Sequence, residues 1–109
     1  MLASLKSAAA KLGQALPTIA SFILADDVVF KPISKSTAKG IDIASWTVDG
    51  KTLVLGGNMG SKSASKTFTI GSSGNVETIL SLGAKASSGP GGEITIDFQK
   101  FGSIGLIIS

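Results

Sequence analysis

The chain contains no histidine, cysteine, tyrosine or arginine among its 109 residues. Those four side chains supply most general bases, thiol nucleophiles, soft metal ligands and bidentate anion clamps. Without histidine, the many serines have no conventional base to activate them. The lack of cysteine excludes disulfides and thiolate zinc sites, and it carries no information about the compartment. We therefore predict a protein that is not an enzyme and has no cofactor and no metal site.

Charge is sparse, and every cation is a lysine. The net charge is +3, and residues 1–40 carry five lysines and two aspartates, whereas residues 41–109 carry five charges of each sign. A basic N-terminal region can contact nucleic acid or an anionic membrane. The candidate phosphate contacts are Lys31, Lys35 and Lys39. Because arginine is the main reader of base edges, its absence leaves only non-specific contact with nucleic acid as a prediction.

Long hydrophobic runs are also missing, although the chain is apolar overall. Hydrophobic residues make up 43% of the sequence and the mean hydropathy is +0.41, yet no run approaches the roughly 18 apolar residues of a spanning helix. Gly13, Gln14 and Pro17 lie within or beside the stretch 15–25 and weaken it as a signal peptide. A domain this small has little interior in which to hide apolar surface. We therefore expect burial against other subunits, with membrane contact as the alternative.

The first 25 residues are predicted to form an apolar helical arm, ahead of a β domain over residues 26–109. Apolar residues recur at spacings of three and four from Leu2 through Leu5 and Leu12 to Leu16, which is the pattern of an amphipathic helix over 2–16. Pro17 is expected to end this helix or to begin a second short helix over 18–24.

The β domain is predicted to be a small antiparallel sandwich or barrel of about six or seven strands. Asp49-Gly50 predicts a type I′ hairpin turn between strands over 41–48 and 52–55. Glycine-rich loops are expected over 56–65 and 83–92. A strand is predicted over 76–82, with a short helix over 75–82 as the alternative. The expected core comprises Phe30, Trp46, Val54, Phe68, Ile70, Leu80, Ile96 and Phe98.

The chain ends on residues 101–109 with no charged side chain after Lys100. Such a strand needs a partner, either in its own sheet or along the edge of a neighbouring subunit, because an exposed apolar edge promotes aggregation. Together with the helix, it supplies the predicted interface residues. These are Leu2, Leu5, Leu12, Leu16, Phe22, Ile23, Ile104, Leu106 and Ile108.

One glycine-rich segment invites comparison with a phosphate-binding loop. Residues 52–55 lead into a glycine loop that contains Lys62 and Ser63. The phosphate-binding motif requires glycine immediately before the lysine and a helix immediately after it. Here Ser61 precedes the lysine and the sequence after it has a β pattern, so we do not predict nucleotide binding.

A Ser-, Gly- and Ala-rich β domain with an apolar N-terminal helix and long glycine and serine loops resembles small bacteriophage and viral virion proteins. The resemblance is one of composition and style over the whole chain. It implies a capsid, decoration, vertex or tail component, located in the virion, that acts through repeated contacts with copies of itself or other structural subunits. Two alternatives remain: a peripheral membrane module that inserts the helix, and a β-sandwich module that binds a glycan or peptide.

Overall fold

The computed structural model describes residues 2–34, 40–69 and 75–109. One helix, α1 (Leu2–Ile23), precedes six strands, and within α1 the side chains are described from Gly13 onward. The strands are β1 (Val29–Ser34), β2 (Ile41–Val48), β3 (Lys51–Asn58), β4 (Ala64–Thr69), β5 (Val76–Ser88) and β6 (Glu93–Ile108). Every pairing between them is antiparallel. The predicted mainly β, antiparallel architecture behind an N-terminal helix is confirmed.

The sheet is organised around the long strand β6, which bends near its middle. Residues 103–108 pair with β3 on one side and with the first part of β5 on the other. Residues 93–98 pair with β4 and with the second part of β5. The bend therefore divides the sheet into two halves. The first half-sheet contains β1, β2, β3 and the adjoining parts of β6 and β5, and the second contains β4 and the remainder.

Two glycines make the bend possible. Gly83 in β5 has a φ of +70°, which residues with a side chain rarely adopt. A Cβ on Gly102 of β6 would overlap the carbonyl oxygen of Gly83. The two backbones thus cross too closely for any side chain between them. This crossing allows the β5–β6 hairpin to fold over on itself.

The main core lies between the two half-sheets. Ile43, Val54 and Leu106 point inward from the first half and meet Ile96 and Phe98 of the second, all at 2% exposure or less. Alternate residues along each strand face this core, as a sheet with one buried face requires. Gly56 belongs to the same face, where a Cβ would lie 3.1 Å from the Phe98 ring.

A second apolar cluster joins α1 to the outer face of the first half-sheet. Ala15 and Ile19 are buried against Leu53, Leu80 and Ile107, and Phe22 packs at the margin. The helix therefore continues through Pro17, beyond the end that the sequence predicts. An interior proline costs about 3 kcal/mol, and the burial of Ile19 and Ala15 together with the partial burial of Phe22 opposes that cost.

Of the remaining local predictions, some are confirmed and others are wrong. The type I′ turn is confirmed, since Asp49 and Gly50 have φ values of +50° and +77°. The stretch 76–82 is a strand, so the helical alternative is wrong. The predicted glycine-rich loops are shorter in the structure, covering 59–63 and 89–92. The glycines at their edges occupy strand positions, where neighbouring strands of the sheet pack closely.

Among the predicted core residues, Val54, Leu80, Ile96 and Phe98 are buried, and Trp46 and Phe68 are partly buried. The prediction that Phe30 lies in the core is wrong, because its side chain is 56% exposed on the edge strand β1. An edge strand has a neighbour on one side only, so its apolar side chains are covered less than those of central strands. Ile70 lies outside the described residues.

The crossing of Gly83 and Gly102 generates the first testable prediction. Gly102→Ala should lower the free energy of unfolding by about 2–4 kcal/mol, because the added methyl group cannot avoid backbone atoms. Gly57→Ala is the matched control, since the atom nearest to its Cβ is 3.9 Å away. Urea unfolding of both variants checks the prediction. Equal stability of the two would mean that the bend does not depend on this contact.

Candidate interaction surfaces

The C-terminal residues predicted at an interface are instead buried within the chain itself. Ile104, Leu106 and Ile108 are 0–3% exposed in the main core. The strand that contains them is paired on both sides, by β3 and by β5. Their expected place at a subunit contact is therefore corrected. Of the two alternatives for this strand, pairing within its own sheet is confirmed.

Of the three lysines proposed as phosphate contacts, one lies within the described residues. Lys31 is exposed on β1, and its carbonyl oxygen accepts a hydrogen bond from the Ser45 hydroxyl at 3.0 Å. Lys35 and Lys39 lie outside the described residues. Contact of these lysines with phosphate therefore stays a prediction.

Between Gly13 and Ile23, helix α1 carries a broad apolar surface, and its own sheet covers only part of it. The covered face carries Ala15, Ile19 and Phe22. Leu16 and Ile23 lie beside this face and are 50% and 38% exposed. Leu2, Leu5 and Leu12 belong to α1, but their side chains are outside the description. The positions of Leu5 and Leu12 precede Leu16 and Ile23 by 11 residues, which returns to nearly the same side of a helix.

The exposed flank of α1 lies on the β2 side of the helix. Gln14, on the other flank, lines a small cavity with residues 78–81 of β5. Leu16 and Ile23 lie about 160–180° around the helix from Gln14 at 100° per residue. The other strand that α1 contacts is β2, and Trp46 of β2 packs against the ring of Phe30, with 5.3 Å between ring centroids.

We call the set formed by Leu16, Ile23, Leu24 and Phe30 the flank surface. Leu24 follows the helix directly and is 78% exposed. Val29, at 62% exposure, precedes Phe30 at the start of β1 and points to the opposite face. Within the described part of the chain, five of the seven exposed large hydrophobic residues thus occur between positions 16 and 30.

The other two, Met59 and Phe101, form what we call the corner surface, at the bend of the sheet. They are 63% and 67% exposed. The amide of Phe101 donates a hydrogen bond to the carbonyl of Gly60, which brings the two side chains to the same corner. No sequence signal predicts their exposure, since a local pattern does not reveal where two distant segments meet.

A buried asparagine holds this corner in place. Asn58 is 3% exposed, and its Nδ2 donates to the carbonyl oxygens of Lys62 at 2.8 Å and Gln99 at 3.1 Å. Its Oδ1 accepts a hydrogen bond from the amide of Gly60. The loop over 59–63 is thereby fastened to β6, so the corner surface rests on a rigid support.

Beside the second half-sheet lies an open groove of about 590 Å³ with a mixed polar and apolar lining. Ser65 donates a hydrogen bond to Asp97, and Lys85 lies opposite Asp97 on β5. The groove is open, and its described lining has no exposed aromatic ring on which a sugar would stack. Within the described ranges, no three acidic side chains come together to hold a metal ion. After Lys62 the chain enters β4, a strand where a phosphate-binding loop needs a helix.

No protein-family model and no curated protein matches this chain. In the described part of the chain, no helix has the length and apolar character needed to cross a membrane.

The contrast between Phe98 and Phe101 on β6 gives the second prediction. Phe98 is 2% exposed in the main core, so Phe98→Ala should lower the free energy of unfolding by about 3–5 kcal/mol. Phe101→Ala should change it by less than about 0.5 kcal/mol, because the ring is in solvent. Chemical denaturation of both variants measures the difference. A large loss of stability in Phe101→Ala would show that this ring serves the fold and not the surface.

Proposed function

We propose that this protein is a non-enzymatic structural component that works by assembling with copies of itself, most specifically as part of a virion. The observation that carries the proposal is the flank surface. Large apolar side chains stay exposed there although the chain has closed its own two cores. In a single copy, this surface is exposed to water and does not contribute to the stability of the fold.

The size of the exposed groups supports assembly. Burying a leucine, isoleucine or phenylalanine side chain contributes about 1.5–3 kcal/mol. Leu16, Ile23 and Leu24 lie in and directly after the last two turns of α1, and Phe30 lies against Trp46, which packs on the cluster that holds α1. Exposed apolar side chains gathered around one helix end are typical of sites where proteins meet. A second copy is the partner that is always present with the protein.

The virion setting is supported by the character of the chain as a whole. The small Ser/Gly/Ala-rich β domain with its N-terminal helix resembles small phage and viral virion proteins. A subunit of a repetitive shell, vertex or tail needs a closed fold and exposed surface that neighbouring subunits cover, and the buried cores and exposed apolar side chains of the described residues support this role. It needs no reactive side chains, and the residue inventory is short of them.

A peripheral membrane module is the second candidate, and the same flank surface supports it. An amphipathic helix that lies in a membrane interface inserts leucines and isoleucines and keeps lysines at the headgroups. The stripe from Leu2 to Ile23 supplies the apolar side, and Lys6 and Lys11 supply two cations. Lysines this few give limited attraction to anionic lipid, so we place this function second.

The third prediction tests assembly with two double variants of the same charge and spacing. Leu16→Glu with Ile23→Glu places two carboxylates on the flank surface, and should reduce the assembly to single copies of 10.9 kDa. Gln14→Glu with Ser21→Glu places the same charges seven residues apart on the opposite flank, and should assemble as the natural chain does. Light scattering measures the mass, and circular dichroism checks that both variants are folded.

Two other results would contradict the proposal. If the natural chain is a single copy at all concentrations, self-assembly is not an intrinsic property. If that single copy floats with vesicles of anionic phospholipid and the Leu16→Glu/Ile23→Glu variant does not, the flank surface serves a membrane.

A further inference from the structure

We propose that copies of this chain associate head to tail, with the corner surface of one copy seated on the flank surface of the next. This inference rests on the proposed self-assembly and adds its direction and its second contact. The occupant of each surface is thus a second copy of this chain, presenting its opposite end.

The two surfaces lie at opposite ends of the first half-sheet. Phe30 is paired with Trp46, and Trp46 with Leu53, near the end where the 49–50 turn lies. Met59 directly follows Asn58, at the other end of β3. Five residues separate Leu53 from Asn58, which corresponds to about 17 Å along a strand. A partner of ordinary size that covers one surface by a local contact therefore leaves the other exposed.

The corner surface is held in a conformation that is unfavourable for its main side chain. Phe101 has a φ of +56°, a region that bulky residues avoid and that glycine or asparagine would occupy at lower cost. Its ring is in solvent, so the main core gains nothing from it. The hydrogen bonds of Asn58 hold this arrangement rigid. A strained residue with an exposed aromatic ring on a rigid support is suited to contact with another molecule.

The net charges beside the two surfaces have opposite signs, since the exposed Asp49 and Lys51 of the turn near the flank surface cancel each other. Asp26 and Asp27 are exposed between Leu24 and Val29, next to the flank surface. Lys62 and Lys100 are exposed in the loop and strand that carry the corner surface. Asp42, also near the corner, has an interaction of its own within the chain. Lys31 follows Phe30 but points to the opposite face of β1.

This distribution favours unlike ends meeting. A two-fold contact between two flank surfaces with its axis near Asp26 and Asp27 would bring these carboxylates near their own copies, and like charges facing each other weaken association. A head-to-tail contact places the lysines of the corner against these aspartates. Because a head-to-tail contact leaves one free surface at each end, it repeats, and it yields a ring or a filament.

Blocked variants distinguish the two modes. The flank-blocked chain carries Leu16→Glu and Ile23→Glu, and the corner-blocked chain carries Met59→Ala and Phe101→Ala. In head-to-tail assembly each alone should be a single copy, with association weakened by about thirtyfold or more, as for loss of central apolar anchors. An equimolar mixture should form a one-to-one pair and nothing larger, because the corner of the flank-blocked chain still fits the flank of the corner-blocked chain. Light scattering of each sample measures the masses.

A charge exchange gives an independent readout. Lys62→Glu with Lys100→Glu should weaken association of the natural chain by about tenfold or more at low salt. Adding Asp26→Lys and Asp27→Lys to the same chain should restore it, since the pairs then have opposite signs again.

The failures are distinguishable. A natural chain that is a single copy overturns the proposed function and the head-to-tail mode with it. A natural chain that assembles, while the corner-blocked chain assembles to the same mass and affinity, overturns only the head-to-tail mode. A mixture of the blocked chains that stays as single copies also overturns that mode, as does a charge exchange without restoration.

Discussion

The close crossing of β5 and β6 at Gly83 and Gly102 is the constraint on which the rest of the structure depends. Because these two backbones touch without a side chain between them, one long hairpin bends sharply and supplies strands to both half-sheets. The main core forms in the angle between the halves, and β3 and β4 follow the same bend along the other side of β6. The bend also creates the corner, where the loop over 59–63 meets β6 and carries Met59 and Phe101 outward.

Local patterns in the sequence predict which residues form helices, strands and turns better than they predict which side chains are buried. The Asp49-Gly50 turn, the helix and the predominance of strands follow from backbone preferences and short periodicities, which need only neighbouring residues. Burial depends on which strands pair, and that is a property of the whole chain. Ile104, Leu106 and Ile108 therefore suggest an adhesive terminus in the sequence, yet they form the most enclosed part of the sheet. Phe30 shows the reverse error, since an apolar residue on an edge strand stays partly uncovered. The exposure of Phe101 follows from the bend, for which glycines alone are a weak sequence signal.

The helix illustrates why a pattern of apolar residues does not name its partner. The stripe that runs to Leu16 predicts a face for docking, and α1 does dock on the sheet. However, it docks through Ala15, Ile19 and Phe22. Leu16 and Ile23 on the adjoining flank stay partly exposed. Between Gly13 and Ile23, the apolar surface of the helix extends beyond the docked face, and the chain itself covers only the docked part.

The position of the corner surface helps to decide whether a membrane or a second copy covers the flank surface. A flat bilayer could cover the flank surface, but the corner lies about five residues further along β3 and is fixed by Asn58 at the opposite end of the first half-sheet. Membrane insertion of the helix therefore leaves Met59 and Phe101 in water and gives no reason for a strained aromatic residue there. A neighbouring copy covers both surfaces with one kind of contact. It also accounts for the acidic residues beside the flank surface and the lysines beside the corner surface. An anionic membrane would repel these acidic residues. Assembly through unlike ends thus explains more of the exposed surface with fewer partners.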